Sequence, residues 1–190
     1  MKLILASGSP RRKEILAATG IDFTVRTADV DETLPEGTPA REGVRLLAVR
    51  KGDAVARTLG DETPILSADT LVELDGKKLG KPKDQEDAVH MLRALSGRAH
   101  AVHTGVAVHY RGETRSAVAT TTVRFRTLTE EEIRAYVESG EPMDKAGAYA
   151  IQGLGGALVE GYDGDLDTVV GLSMRTVGSL LAEALGGVAL

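Results

Sequence analysis

Leu3-Ile4-Leu5-Ala6-Ser7-Gly8-Ser9-Pro10-Arg11-Arg12-Lys13-Glu14-Ile15-Leu16 is the stretch around which the rest of the chain is organised. Its apolar run predicts a buried strand, and Ser7-Gly8-Ser9 a tight turn. Ser9 sits where an N-cap belongs and Pro10 where the first helical residue belongs. Ile15 and Leu16 begin an apolar helical face, and Gly20 suits the helix end. Strand, small-residue loop and helix N-terminus together make an anion cradle, because unpaired backbone N–H groups and the helix dipole point at the loop. Arg11 and Arg12 in the first turn oppose that dipole. Two cations there are costly unless an anion sits between them; the alternative is that both point to solvent.

The bulk properties narrow the classes around this reading. The 190 residues suffice for one substantial domain or one elongated two-lobed unit, and 1–190 is read as a single domain. With 42% hydrophobic and 27% charged residues, the balance is that of a soluble globular protein. A net charge of -5 argues against coating a nucleic acid polymer or an anionic membrane. No cysteine is present, which removes disulfides, thiolate catalysis and zinc–sulfur sites. Aromatic residues are only 3%, so stacking along single-stranded nucleic acid is disfavoured. No signal peptide or membrane-length apolar run is visible, and a cytoplasmic location is the default expectation.

Along the chain, Phe23-Thr24-Val25 predicts a short strand and Asp29-Val30-Asp31-Glu32 an acidic loop. Thr38-Pro39 repeats the cap-then-proline signature and predicts a helix with Val44, Leu47, Ala48 and Val55 on its apolar stripe. Lys51 falls on that stripe and must either snorkel outward or meet an anion. Pro64 to Leu74 predicts the central strand, with Asp69 in its middle and apolar residues on both sides. A carboxylate there is expensive to bury unless paired with Lys or Arg, or bound to a metal. Gly80-Lys81-Pro82-Lys83-Asp84 is a loop whose Asp84 can cap the next helix, with Ala88, Met91, Leu92 and Leu95 inward. A hairpin follows, turning at Arg111-Gly112-Glu113, with Val118, Thr120 and Thr122 returning along one face. The four histidines show no metal-ligand spacing and read as surface or sheet-face residues. Thr129 and Glu132 form a capping box. The segment from Glu141 to Gly153 is rich in glycine and small residues; Ala157 to Glu160 predicts a strand, and a last helix carries Leu180, Leu181 and Leu185 inward.

The unusual polar residues form two sets. One is cationic: Arg11, Arg12, Lys51 and Lys81, with Lys145 as a further candidate. The other is acidic: Glu32 and Asp69, with Asp84 as a further candidate. Polyphosphate substrates need both, cations to neutralise the chain and carboxylates to hold a divalent metal or activate water. Neither common phosphate-binding glycine fingerprint is present.

Taken in order, Ala6-Ser7-Gly8-Ser9-Pro10-Arg11-Arg12, Val30-Asp31-Glu32, Lys51, Ser67-Ala68-Asp69-Thr70, Gly80-Lys81-Pro82-Lys83-Asp84, Leu95-Ser96-Gly97-Arg98, Thr104-Gly105-Val106, Asp144-Lys145-Ala146-Gly147-Ala148-Tyr149, Ile151-Gln152-Gly153 and Val169-Val170-Gly171-Leu172 resemble the Maf nucleoside triphosphate pyrophosphatases, in the branch that hydrolyses dTTP and UTP. The resemblance implies an elongated two-lobed α/β fold, a mixed sheet flanked by helices related to the inosine triphosphate pyrophosphatases (Maf/Ham-like), with a cleft site. It implies hydrolysis between the α and β phosphates to a nucleoside monophosphate and pyrophosphate, with Mg2+ or Mn2+. Asp69 matches the family's proton acceptor, and Arg11, Thr70 and Gln152 match positions used to select the base. Under that reading Ser7, Ser9, Arg11 and Arg12 hold phosphate oxygens, and Lys51 and Lys81 neutralise the leaving pyrophosphate. Lys145 contacts substrate, and Glu32 and Asp69 share the metal and the attacking water. The chain departs from the family pattern at Thr168, often Asn, at Ser173, often Pro, and in the acidity of 160–167. Two other readings stay open: a 7-methyl-GTP-type pyrophosphatase, against which Gln152 and Thr70 count, and a nucleotide-binding regulator of septum formation without turnover. The expected partner is a nucleoside triphosphate, and a homodimer stays open as the assembly.

Overall fold

The computed structural model describes residues 2–187. The opening stretch folds as its sequence dictates. β1 (Lys2–Leu5) buries Leu3 and Leu5 completely. α1 (Pro10–Ala17) starts on the Ser9 cap, whose hydroxyl accepts from Arg12 N, with Pro10 in the first turn. β2 (Asp22–Val25) runs parallel to β1 with Phe23 opposite Leu3. α2 (Ala40–Leu59) then leads to β3 (Ile65–Leu74), which flanks β1 in parallel on its other side. The expected Thr38 cap lies one residue too early. Pro39 occupies the cap position, and Thr38 Oγ1 donates to Pro35 O (2.7 Å), closing the turn before the helix.

β4 (Lys77–Leu79) pairs antiparallel with the end of β3 through Asp75-Gly76, both at positive φ. α3 (Gln85–Leu95) is capped by Asp84, as its sequence predicts. β5 (Ala99–Tyr110) and β6 (Glu113–Phe125) are joined by Arg111-Gly112, again both at positive φ. α4 (Glu130–Glu138) carries the complete Thr129–Glu132 capping box. Short 3-10 turns over Glu141–Asp144, Ala146–Ala148 and Leu154–Leu158 precede β7 (Val159–Asp163), which begins two residues later than the sequence pattern predicts. α5 (Leu166–Val170) and α6 (Met174–Ala184) close the described chain. Ser173 caps α6, its hydroxyl accepting from Thr176 N. The sheet order is β2-β1-β3-β5-β6-β7, with β4 on β3. This is the mixed α/β sheet with flanking helices expected from the sequence.

The chain divides into two compact units. Unit 1 is Met1–Asp69, Thr104–Ala119 and Gly171–Leu190; unit 2 is Thr70–His103 and Thr120–Val170. Each has its own core. In unit 1, Leu3, Leu5, Leu16, Leu66, Val106, Leu172 and Leu181 pack together. In unit 2, Leu92, Leu95, Val123, Phe125, Ile133 and Val137 do so. On β6 the buried face is Thr121, Val123 and Phe125, so Thr120 and Thr122 lie on the outer face.

The histidines differ from a surface reading: His100, His103 and His109 are all buried, and only His90 is exposed. They lie on sheet faces, and each finds a hydroxyl. His100 Nε2 meets Tyr149 OH (2.7 Å), His103 Nδ1 meets Thr120 Oγ1 (2.8 Å) and His109 Nδ1 meets Thr114 Oγ1 (3.0 Å). His100 also packs edge-on against Phe125 and Tyr149. Burial pushes its pKa down from 6.5 to about 4. Between those values the unfolded chain binds a proton that the folded chain refuses. Stability from this group is therefore complete above pH 6.5 and is lost as pH falls toward 4, by at most about 3 kcal/mol. Thermal denaturation from pH 7 to 4 should show a shallower loss in His100→Gln than in the parent. Equal slopes would mean that His100 is not the neutral buried group described.

Candidate functional site

Unit 1 gathers seven of the predicted site residues, and α2 positions the central one. Ser67 and Asp69 share one face of β3, since side chains alternate along a strand. The Ser67 hydroxyl donates to Ala48 O of α2 (2.7 Å) and so fixes the helix against the strand. Two glycines permit the approach. A Cβ on Gly52 would lie 2.1 Å from His109 Nε2, and one on Gly105 would lie 2.3 Å from Val44 O. At Gly105 the backbone of α2 thus lies almost on that of β5, at Gly52 the helix makes room for the His109 and Ser67 side chains, and Lys51 pairs with Asp69 of β3.

Lys51 does not snorkel. Its Nζ donates to Asp69 Oδ1 at 2.6 Å and pairs with Glu32 Oε1 at 2.8 Å. The two carboxylates differ in setting: the Asp69 side chain is 12% exposed and that of Glu32 60%. The less exposed Asp69 is thus compensated by the Lys51 and Arg12 charges with little help from solvent, whereas solvent screens Glu32.

Arg12 is held from below. Its Nε donates to Gly171 O (2.8 Å) and its Nη1 to Ser7 Oγ (3.2 Å). Burial pulls its pKa below the ordinary value and Arg11 adds to that, against the opposing negative charges of Asp69 and Glu32. An open cavity of about 230 Å3 has Ser7, Gly8, Arg12, Glu32 and Lys51 among its walls, together with Thr27 to Val30. Ser9 spends its hydroxyl on the helix cap, and its N–H donates to Ser7 Oγ (3.3 Å). Arg11 is half-buried on α1. The negative charges of Asp69 and Glu32 that Arg12 faces offset the cost that the sequence raised for a cation at this helix end.

Unit 2 holds the other four residues. Thr70 follows Asp69 along β3. Lys81 is exposed in the loop after β4; Gly147 N donates to Gly80 O (3.0 Å) and ties that loop to the Lys145 segment. Lys145 pairs with Asp144 and its Nζ donates to Glu141 O (3.4 Å). Gln152 is exposed between Ala150 and Gly153. Sequence reasoning assigned no site role to Gly171, whose carbonyl seats Arg12. It also missed Tyr136 and Glu141, which bind the segment around Gln152. The Val169-Val170-Gly171-Leu172 motif and the Tyr136/Glu141 pair flanking a glycine-rich run were the available signals.

Among the described residues, no group of three or more His, Cys, Asp or Glu is placed to hold a metal ion. The donors converging here are two carboxylates. That set suits Mg2+ or Mn2+, which take one or two protein carboxylates and complete their shell with water and substrate phosphate. Each carboxylate has further lone pairs beyond those facing Lys51. Among the described residues no helix is long and apolar enough to cross a membrane.

Comparison with known proteins bears on both fold and family. A family model described as Maf-like protein matches residues 2–184. The chain is 49% identical over 197 residues to the dTTP/UTP pyrophosphatase of Desulfitobacterium hafniense, covering 99% of this chain and 89% of that protein. It is 50% identical over 183 residues to the dTTP/UTP pyrophosphatase of Moorella thermoacetica, covering 95% and 94%. Its fold is similar to that of the Staphylococcus aureus Ham1 protein, with a TM-score of 0.52, 18% identity and coverage of 98% and 99%. At that identity the likeness speaks for the fold alone, and it agrees with the Maf/Ham-like architecture expected from the motifs. With one family model spanning residues 2–184 and about half of all positions shared with relatives along nearly the whole chain, the protein belongs to the Maf-like family.

Proposed function

We propose that the chain hydrolyses dTTP and UTP to the nucleoside monophosphate and pyrophosphate. The observation that carries this reading is Lys51 seated between Glu32 and Asp69 at the cavity that Arg12 also lines. The names of relatives that share about half of its residues support the substrate class.

In the reaction, water oxygen bonds to phosphorus at the α–β bridge, the bridging P–O bond breaks and pyrophosphate leaves. Asp69 takes the proton of the attacking water. Lys51 and Lys81 compensate charge on the departing oxygens, which is where fixed cations contribute most. Arg12, Arg11, Ser7 and Ser9 orient the phosphate chain, and Lys145 contacts it. A divalent cation held by Glu32 and Asp69 would neutralise phosphate charge and make bound water a better acid.

Gln152 reads the base. A uracil or thymine edge offers one donor, N3–H, between two acceptors, and an amide both donates and accepts. An ionised carboxylate only accepts, which suits the adjacent donors of a guanine edge and repels a pyrimidine carbonyl. Thr70 leaves room and offers a hydroxyl.

The direct test is phosphorus NMR of the products from UTP with Mg2+ or Mn2+. UMP and pyrophosphate are expected; UDP with orthophosphate, or no turnover of any triphosphate, would overturn the proposal. Gln152→Glu should lower the UTP to 7-methyl-GTP ratio of kcat/KM by about ten- to a hundredfold. An unchanged ratio means that Gln152 does not read the base.

A further inference from the structure

The exposed Gln152 sits on a loop without regular strand or helix, and reading a base edge requires that loop to hold one shape. Beside a backbone bond from Gly156 N to Gly153 O (3.2 Å), the bonds described for it come from the side chains of one tyrosine and one glutamate. On the near side of Gln152, Ala150 N donates to Tyr136 OH (3.0 Å). On the far side, Leu154 N donates to Glu141 Oε1 (3.1 Å) and Gly155 N to Glu141 Oε2 (2.9 Å). Tyr136 OH donates to Glu141 Oε2 (2.6 Å) and closes the bracket. The glycines fit this arrangement and no other residue does. Gly153 has φ 114, and a Cβ there would stand 2.3 Å from Glu141 Oε1; on Gly155 it would stand 2.4 Å from Ala150 O and 2.6 Å from Tyr136 OH.

We infer that Glu141 is a positioning residue for base selection: with Tyr136 it clamps the 150–155 loop on both sides of Gln152 and sets the direction of the Gln152 amide. The inference rests on the reading that Gln152 meets the base. A carboxylate suits the task because it accepts three bonds and donates none, which matches two backbone N–H groups and a phenol. Burial alone would raise its pKa, but the Tyr136 hydroxyl, the N–H groups of Gly155 and Leu154 and the nearby Lys145 together hold it below the ordinary value. The clamp therefore stays ionised throughout the neutral range. Tyr136 is correspondingly pushed up, first by burial and then by its bond to Glu141, and remains a donor. An amide at position 141 would turn NH2 toward one of the donors and lose at least one bond.

The experiment is a double-mutant cycle on Glu141→Gln and Gln152→Ala, with Tyr136→Phe as an independent opening of the clamp. It is read as the UTP to 7-methyl-GTP ratio of kcat/KM, with kcat and KM for UTP measured separately. Glu141→Gln should lower the ratio about tenfold, chiefly through KM for UTP, and Tyr136→Phe should lower it in the same sense. The double variant should be no less selective than Gln152→Ala alone, because the clamp acts only through Gln152. An unchanged ratio in Glu141→Gln beside a lowered one in Gln152→Ala overturns the clamp and leaves the base reading standing. Additive losses, or equal losses for both nucleotides, overturn it as well. An unchanged ratio in Gln152→Ala overturns the base reading and the clamp together.

Discussion

Asp69→Asn lowers kcat for UTP by about 10²–10⁴-fold and leaves the fold and triphosphate binding largely intact. Asparagine has nearly the same shape and keeps an oxygen to accept from Lys51, so the packing of β3 against α2 survives. Lys51 is not stranded, because Glu32 remains its partner at 2.8 Å. What is lost is the negative charge and the capacity to take a proton, at a residue only 12% exposed in its side chain and 2.6 Å from a cation. The same charge is one of two donors proposed for the divalent cation, so saturating Mg2+ should not restore the rate. Single-turnover kinetics and UTP binding by calorimetry separate the two effects. A rate within a few-fold of the parent at saturating metal would sink the assignment of Asp69 as proton acceptor.

What could be read in the sequence was local, and what could not was set by long-range geometry. The Ser9, Asp84 and Thr129–Glu132 caps were legible because each N-cap bonds a backbone N–H three residues away. The central strand was legible from its apolar run, and Asp69 stood out because a carboxylate there demands a partner. Which partner it takes was not legible. Lys51 could have snorkelled; the Ser67 hydroxyl ties α2 to β3, and Gly52 and Gly105 let the same helix lie close on β5, contacts between distant parts of the chain that no local pattern records. The Gly171 carbonyl that seats Arg12 comes from 159 positions away, and a backbone acceptor leaves no chemical mark in a sequence. The sheet-face reading of the histidines holds for His100, His103 and His109, but their burial was not legible for a similar reason: β5 is covered on both faces, so alternation no longer separates inside from outside. The β3–β4 hairpin went unread, although Asp75-Gly76 is a strong two-residue turn signal.

Lys51→Met tests whether that ion pair is chemistry or architecture. From the sequence, methionine should pack on the apolar stripe of α2 at little cost in stability. The structure changes that expectation, because Nζ is the shared counter-charge of two carboxylates. Removing one partner of a buried pair costs about 3–5 kcal/mol. Asp69 keeps a little solvent and the opposing charge of Arg12, so about 1–3 kcal/mol is expected here. The catalytic loss should be larger, about 10²–10³-fold in kcat, as for removal of a fixed donor that meets charge developing in the transition state. The two contributions separate in an Asp69→Asn background. There the methionine strands no buried carboxylate, so its stability cost should fall to within about 0.5 kcal/mol of zero. Urea denaturation of the parent, both single variants and the double variant measures this coupling, and kcat for UTP is measured on the Lys51→Met single variant. An equal stability cost in both backgrounds would mean that Lys51 holds the helix by packing alone. Full kcat in the single variant would mean that its charge never reaches the leaving group.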